Sequence, residues 1–488
     1  MKFNFVLILI LIPGFLFPQS KSLNLDDCRQ IALIHNRKVK IADENELMMS
    51  SIYKSAKTQH YPRFGANGTY IRTNRAISLL SENIFLPVVP QEAIVNGKIS
   101  EVVFGFNQQL LEETFVTDEN GNIIRDDNGN PVFQKYAYLP ADQVTLDLEN
   151  VFLFNVSMKQ PIYMGGKIRE INKMASYGED LFGAKKTLTK SEVILETDKR
   201  YWQVIALQEK VKLTTIYKQM LGNLLTDLNN IYEEGIITNN EILKAKVKFN
   251  EVDLKLLKST NGLQLARMAL NQTLGFPLDT IVQLSDTIIL NRDFQYEKET
   301  SKALVKNRPE IEMLNSTIKI AESAEKIMRS RYLPNVGLTA NYLFMNPNPY
   351  NGFEKEFGGD WNVGVVVNIP IWHWNDKKYT LQATKHKTNA LREQYEETQE
   401  LITLEIQQTK FKYSESIKKV EMTSISLQQA EENLKITQDN FNEGVVNTTD
   451  LLEAQTMWQE AYSEFIEAKT ENKLCESELL RVTGQLNY

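Results

Sequence analysis

The side chains that most often carry acid–base, nucleophilic or metal chemistry are few and scattered in this chain of 488 residues. Its four histidines, His35, His60, His373 and His386, include no i, i+4 pair of the kind that holds zinc on one helix face. The two cysteines, Cys28 and Cys475, stand near opposite ends, so no thiol cluster offers a metal site, and two separate buried thiols are expected rather than a disulfide. Gly165-Gly166-Lys167 lacks the rest of a phosphate-binding loop, and no Gly-x-Ser-x-Gly elbow occurs. The chain is therefore not expected to be an enzyme; no catalytic residue, cofactor or metal is assigned. The carboxylates that stand out are placed for another purpose. Glu241 follows Thr238 by three residues, the spacing of a helix capping box, and Asp450 follows Asn447 in a weaker equivalent. Glu453 lies three residues beyond Asp450, and all three charges suit the positive end of a helix dipole.

Each capped start comes just after a glycine. Tyr232-Glu233-Glu234-Gly235-Ile236-Ile237 and Phe441-Asn442-Glu443-Gly444-Val445-Val446 both read as left-handed helix stops, where a Cβ is disfavoured. Two αα-hairpins are thus expected. The hairpins belong to a larger duplication. Pro161-Ile162-Tyr163 recurs as Pro370-Ile371-Trp372, Glu234-Gly235 as Glu443-Gly444, and Leu274-Gly275 as Thr483-Gly484, all 209 residues apart. Upstream, His35-Asn36-Arg37 resembles Lys306-Asn307-Arg308, and Pro62 matches Pro334 at an offset of 272. The change from 209 to 272 places an insertion of 63 residues between Pro62 and Pro161. The division expected is a first repeat over 21–285 and a second over 286–488.

Within each repeat two segments alternate apolar and polar residues. They are expected at about 64–73 and 150–160, then at about 335–345 and 361–370. In Phe152-Leu153-Phe154-Asn155-Val156-Ser157-Met158-Lys159 the even positions are apolar, and Trp361 to Ile369 repeats the habit. Such strands suit a boundary between lipid and a wet lumen, and aromatic residues near their ends (Tyr70, Phe152, Tyr342, Trp361, Trp372) suit an interfacial girdle. Half-buried strands of a soluble sheet are the plainer alternative. Four strands cannot close a barrel, and an open edge in lipid leaves backbone groups unpaired, so membrane strands here would need several chains. Three chains would supply twelve.

Proline is absent from about Gly166 to Tyr232 and from about Lys377 to Phe441, within helical hairpins expected over about 165–275 and 377–484. Unbroken, either helix would be roughly 100 Å long. Val193, Tyr201, Val204, Val211, Met220, Leu224, Leu228 and Ile231 form an expected seam; Leu401, Leu404, Phe411, Val420, Leu427, Leu434 and Phe441 form its counterpart.

Met1-Lys2, an apolar run from Phe5 to Phe17 and small polar residues at Ser20 and Ser22 predict an export signal over 1–20. Leu25-Asp26-Asp27-Cys28 has acidic residues where a lipid-attachment box needs small ones, so lipidation is not expected. A net charge of -7 argues against nucleic acid as a partner. The insertion at about 75–147 carries Asp118-Glu119-Asn120-Gly121-Asn122 and Asp126-Asp127-Asn128-Gly129-Asn130, whose Asn-Gly pairs predict tight turns and whose spacing fits no EF-hand.

The duplicated aromatic-x-x-Gly-x(5)-acidic-x-Leu turn, the Pro-Ile entry to each long helix and the opening Leu25-Asp26-Asp27-Cys28-Arg29-Gln30-Ile31-Ala32-Leu33 together resemble the TolC family of outer-membrane efflux channels. The resemblance spans essentially the whole chain after the signal. It implies a mostly α fold with a small membrane β component. As a homotrimer it would form a twelve-stranded barrel in outer-membrane lipid, continued by an α-helical barrel in the periplasm. It implies a duct from an inner-membrane pump and a periplasmic adaptor to the outside. Gly235, Ile236, Gly444 and Val445 would dock the adaptor; Glu241, Phe441, Asp450 and Glu453 would narrow or gate the entrance, the acidic residues as rings that favour cations. Phe441 stands where a gating tyrosine is expected and Val446 where a basic residue can help lock the gate, so closure would depend more on apolar packing. A soluble coiled-coil scaffold would explain the helices but not the strands, and a lone porin the strands but not the helices.

Overall fold

The structure is a computed structural model and describes residues 22–74, 77–146, 148–286, 301–306 and 308–486. The expected export signal lies outside them. Two compact units emerge, and each takes chain from both repeats: a helical unit from the described parts of 1–59, 166–332 and 371–488, and a sheet unit from 60–165 and 333–370.

In the helical unit the main elements are α1 (Leu25–His35), α2 (Arg37–Lys57), α3 (Lys167–Glu233), α4 (Asn239–Leu274), α5 (Pro309–Ser330), α6 (Asp376–Asn442) and α7 (Thr448–Val482). The long helices α3 and α6 have 67 residues each. Asn36 ends α1 and caps α2 through a bond from the Lys38 amide, and its own amide group donates to the Thr273 carbonyl at 2.7 Å. The main core joins Val193, Tyr201, Val204 and Leu213 of α3 to Leu263 and Leu270 of α4, Cys28 and Ala32 of α1, and Ile466 of α7. Each large apolar side chain so enclosed contributes roughly 1.5–3 kcal/mol. Among the described residues no helix is long and apolar enough to cross a membrane.

The expected seam on α3 is inward at Val193, Tyr201, Val204, Leu224 and Leu228. On α6 the expected seam is correct only in its second half. Val420 and Leu427 are buried, but Leu401, Leu404 and Phe411 face outward, Phe411 with 72% of its surface exposed. Ile402 and Ile406 are the inward residues. A helix turns about 100° per residue, so stripes one position apart lie on different faces, and both stripes here are apolar.

The sheet unit contains β1 (Arg63–Arg72), β2 (Asn150–Met164), β3 (Asn335–Asn346) and β4 (Gly358–Asn368) in spatial order β1-β2-β3-β4, every neighbour antiparallel. The register aligns the alternation across all four strands. Ala66, Val156, Tyr342 and Trp361 form one transverse row, and Phe64, Met158, Ala340 and Val363 the next. On the opposite face the rows are Gly65, Ser157, Asn341 and Asn362, then Arg63, Lys159, Thr339 and Gly364. The Asn341 amide donates to Asn362 Oδ1 at 3.0 Å. Over these four rows one face is apolar and the other polar. Pro161 lies beyond the last β1–β2 pair, Arg63 with Lys159, where β2 has only β3 beside it. A residue without an N–H is tolerated there. The register slips between Pro161 and Tyr163.

The insertion continues the β1–β2 ladder. The Thr73 amide bonds the Glu149 carbonyl at 2.8 Å, Ile77 pairs with Leu146, and Ile84 with Leu139. Beyond lies a small core of Ala93, Phe104, Leu110 and Phe115. The two Asn-Gly pairs are tight turns: Asp118 and Asp126 each accept from the amides two and four residues on, and Gly121 and Gly129 have φ of 81° and 83°.

Candidate functional site: the paired helical turns

The turn from α3 to α4 and the turn from α6 to α7 are built by the same bonds. Gly235 has φ 77° and Gly444 φ 72°, a region that costs residues with a Cβ. The Gly235 amide donates to the Tyr232 carbonyl at 2.9 Å and the Ile236 amide to Ile231 at 3.2 Å. In the second turn the Gly444 amide donates to Phe441 at 3.0 Å and the Val445 amide to Asn440 at 2.8 Å. This pair of bonds is a Schellman stop, which satisfies carbonyls that a helix end leaves open. The residue after the glycine in such a stop usually packs back on its own helix. Here Ile236 and Val445 are 69% and 72% exposed. Two apolar side chains are therefore presented to the surroundings on the two turns.

The caps that follow differ from expectation. Asn447 forms the complete box: its Oδ1 accepts from the Asp450 amide at 3.1 Å, and Asp450 accepts from the Asn447 amide at 3.2 Å. Thr238 makes no side-chain cap bond. Glu241 instead accepts from Lys244 at 3.0 Å through one carboxylate oxygen. Lys244 also donates to Thr449 Oγ1 at 3.3 Å and so ties the first turn to the second. Sequence reasoning missed Lys244, because nothing in its spacing announces a partner 205 residues away.

One apolar cluster joins both hairpins. Leu224 and Leu228 of α3, Ile242 and Ala245 of α4, and Leu451 of α7 are buried together, with Leu434 and Phe441 packed against them. Phe441 is thus half-buried in the shared cluster, whereas Tyr232, its first-repeat equivalent, is exposed. Asp450 and Glu453 are exposed at the start of α7. The structure therefore gathers Gly235, Ile236, Glu241, Phe441, Gly444, Val445, Asp450 and Glu453 onto two turns that share one core.

Among the described residues no group of histidine, cysteine or acidic side chains is arranged to hold a metal. Both cysteines are free, and the Cys28 thiol is pushed up to about 12 by burial, then by Asp27, Asp286 and Asp198, so it stays protonated and unreactive. The Cys475 thiol is also raised, first by burial.

Residues 300–485 match the model of the family described as outer membrane efflux protein. The outer membrane protein TolC of Vibrio cholerae is 20% identical over 308 residues, covering 61% of this chain and 69% of its own length. The Campylobacter jejuni CmeC outer membrane channel superposes with a TM-score of 0.72 at 14% identity, over 95% of this chain and 87% of that one. The open state of the Neisseria gonorrhoeae MtrE outer membrane channel gives 0.68 at 15% identity, over 94% and 88%. At such identities the solved structures establish the shared fold.

Proposed function

We propose that the chain is a TolC-like outer-membrane efflux protein with its helical unit in the periplasm, and that it is the exit duct of a tripartite export system; the family match and the TolC relative support this reading. The observation that carries this reading is the four-stranded sheet, with one apolar face and a free edge at each of β1 and β4. Such edges are tolerated in lipid only when paired. Three copies joined β4 to β1 give a closed barrel of twelve strands, apolar face to lipid and polar face to the lumen. The helices support the same assembly. α4 carries exposed Leu243, Val247, Leu254, Leu257 and Leu265, and α6 carries exposed Leu404, Phe411, Met422, Ile425 and Ile436. Two different stripes on one chain suit a head-to-tail contact, which closes into a ring.

In this duct the paired turns are the periplasmic entrance. Ile236 and Val445 dock the hairpins of a periplasmic adaptor, Asp450 and Glu453 form carboxylate rings that favour cations, and Glu241 is held back by Lys244. Phe441 closes the entrance by apolar packing. The inner-membrane pump selects the cargo and supplies the energy.

The deciding measurement is the mass of detergent-extracted protein by light scattering corrected for bound detergent. A trimer is expected; a monomer soluble without detergent would remove the shared barrel. Val365→Arg puts a charge on the apolar face in mid-strand and is expected to cost about 2–4 kcal/mol of membrane stability. Its check is the yield of folded protein in the outer membrane. Ile236→Asp with Val445→Asp leaves folding intact, since both side chains are mostly exposed. It is expected to abolish adaptor cross-linking at the turns, and unchanged cross-linking would place docking elsewhere.

A further inference from the structure

Arg63 and Lys159 stand directly opposite each other across the β1–β2 ladder, on the polar face of the sheet. Directly paired residues of antiparallel strands have Cβ atoms about 4.5–5.5 Å apart, and like charges so placed repel. Folding alone would favour a neutral or acidic neighbour. Among the described residues neither side chain has an ion pair, and both are exposed. The rest of their row, Thr339 and Gly364, is uncharged. The next row supplies Ser157, Asn341 and Asn362 as polar neighbours. The acidic residue of that face, Asp360, is four positions along β4 from Gly364, roughly 13 Å by strand rise. That exceeds the screening length of about 10 Å at 0.1 M salt.

We propose that Arg63 and Lys159 form a cationic ring in the barrel lumen that holds and passes small anions. The proposal rests on the shared-barrel reading. With two cations from each of three chains, the ring carries six positive charges around one level of the pore. Rings of arginine and lysine are the usual means by which a pore favours anions and phosphate groups. A wall of low dielectric behind them focuses their field into the lumen.

The test is the reversal potential of the reconstituted full-length protein in a potassium chloride gradient, with wild type compared against Arg63→Gln combined with Lys159→Gln. Removing the ring is expected to shift the reversal potential towards the potassium equilibrium value, and the shift should shrink as salt rises. Arg63→Lys with Lys159→Arg keeps the charges and should retain the wild-type potential. Trimers that conduct with an unchanged reversal potential in the double glutamine variant overturn the ring. A chain that remains monomeric in detergent overturns the shared barrel on which the ring depends, and light scattering tells that failure apart.

Discussion

Gly444→Pro is expected to abolish export from a chain that still folds and assembles. Gly444 sits at φ 72° and its amide donates to the Phe441 carbonyl at 3.0 Å. Proline fixes φ near −65° and has no N–H, so it can adopt neither the angle nor the bond, a loss of about 3 kcal/mol or more. The turn must then rearrange, and with it Val445, whose exposed side chain the same backbone presents. The damage is confined because the main core, around Tyr201 and Leu270, lies among other residues of the bundle. Gly235→Ala is the graded control. Its φ is 77° with open space where a Cβ would go, so only the left-handed strain of roughly 1–2 kcal/mol applies. Cargo release from cells and the trimer fraction in detergent are the two readouts. Normal release by Gly444→Pro would remove the turns from the transport path.

Asp198→Ala is expected to be the most destabilising single change in the helical unit. Asp198 is fully buried on α3, and its two oxygens accept from Arg29 Nε at 2.7 Å and Nη2 at 2.5 Å. The Arg29 guanidinium is mostly buried as well, and although burial opposes its charge, the bonds and the charge of Asp198 outweigh that and hold its pKa above the ordinary value. Deleting the carboxylate leaves a cation in the bundle that, among the described residues, is bonded only to the exposed Asp26. Breaking one side of a buried pair costs about 3–5 kcal/mol. Thermal unfolding in detergent should show it, and Arg29→Met combined with Asp198→Leu should recover much of the loss by removing both charges. A single variant as stable as wild type would show that water reaches the pair.

The second repeat has its own ionic cluster. Arg308, almost wholly buried, bonds Glu310 at 2.7 Å and Glu405 at 3.3 Å, and Arg481 bonds Glu478 at 2.6 Å. Burial raises the Glu310 pKa, but the bond and charge of Arg308 outweigh it and hold it below the ordinary carboxylate range. A depressed carboxylate stabilises the fold above its unfolded pKa and loses that contribution as pH falls through the folded value. The cluster therefore weakens in acid.

Much of the molecule follows from local rules applied to the residues. Strand alternation has period two, so the apolar face of β2 and β4 is legible from Phe152 to Lys159 and from Trp361 to Ile369. A left-handed stop needs glycine, so Gly235 and Gly444 mark both turns, and the offset of 209 links them. What neither periodicity nor spacing contains is which residue meets which. The pairing of Arg63 with Lys159 depends on strand register, and register is a property of two strands at once. On α6 two apolar stripes compete, and only packing decides that Ile402 and Ile406 turn inward while Leu404 and Phe411 stay exposed. Thr238 and Glu241 have the spacing of a capping box, yet Thr238 makes no cap bond, and Glu241 pairs with Lys244, which also bonds a residue of the other repeat. The sequence by itself determined the elements, their duplication and the turns, because those obey interactions between near neighbours. The tertiary structure alone decided the faces, the register and the charge pairs, because those energies exist only when distant segments compete for the same contact.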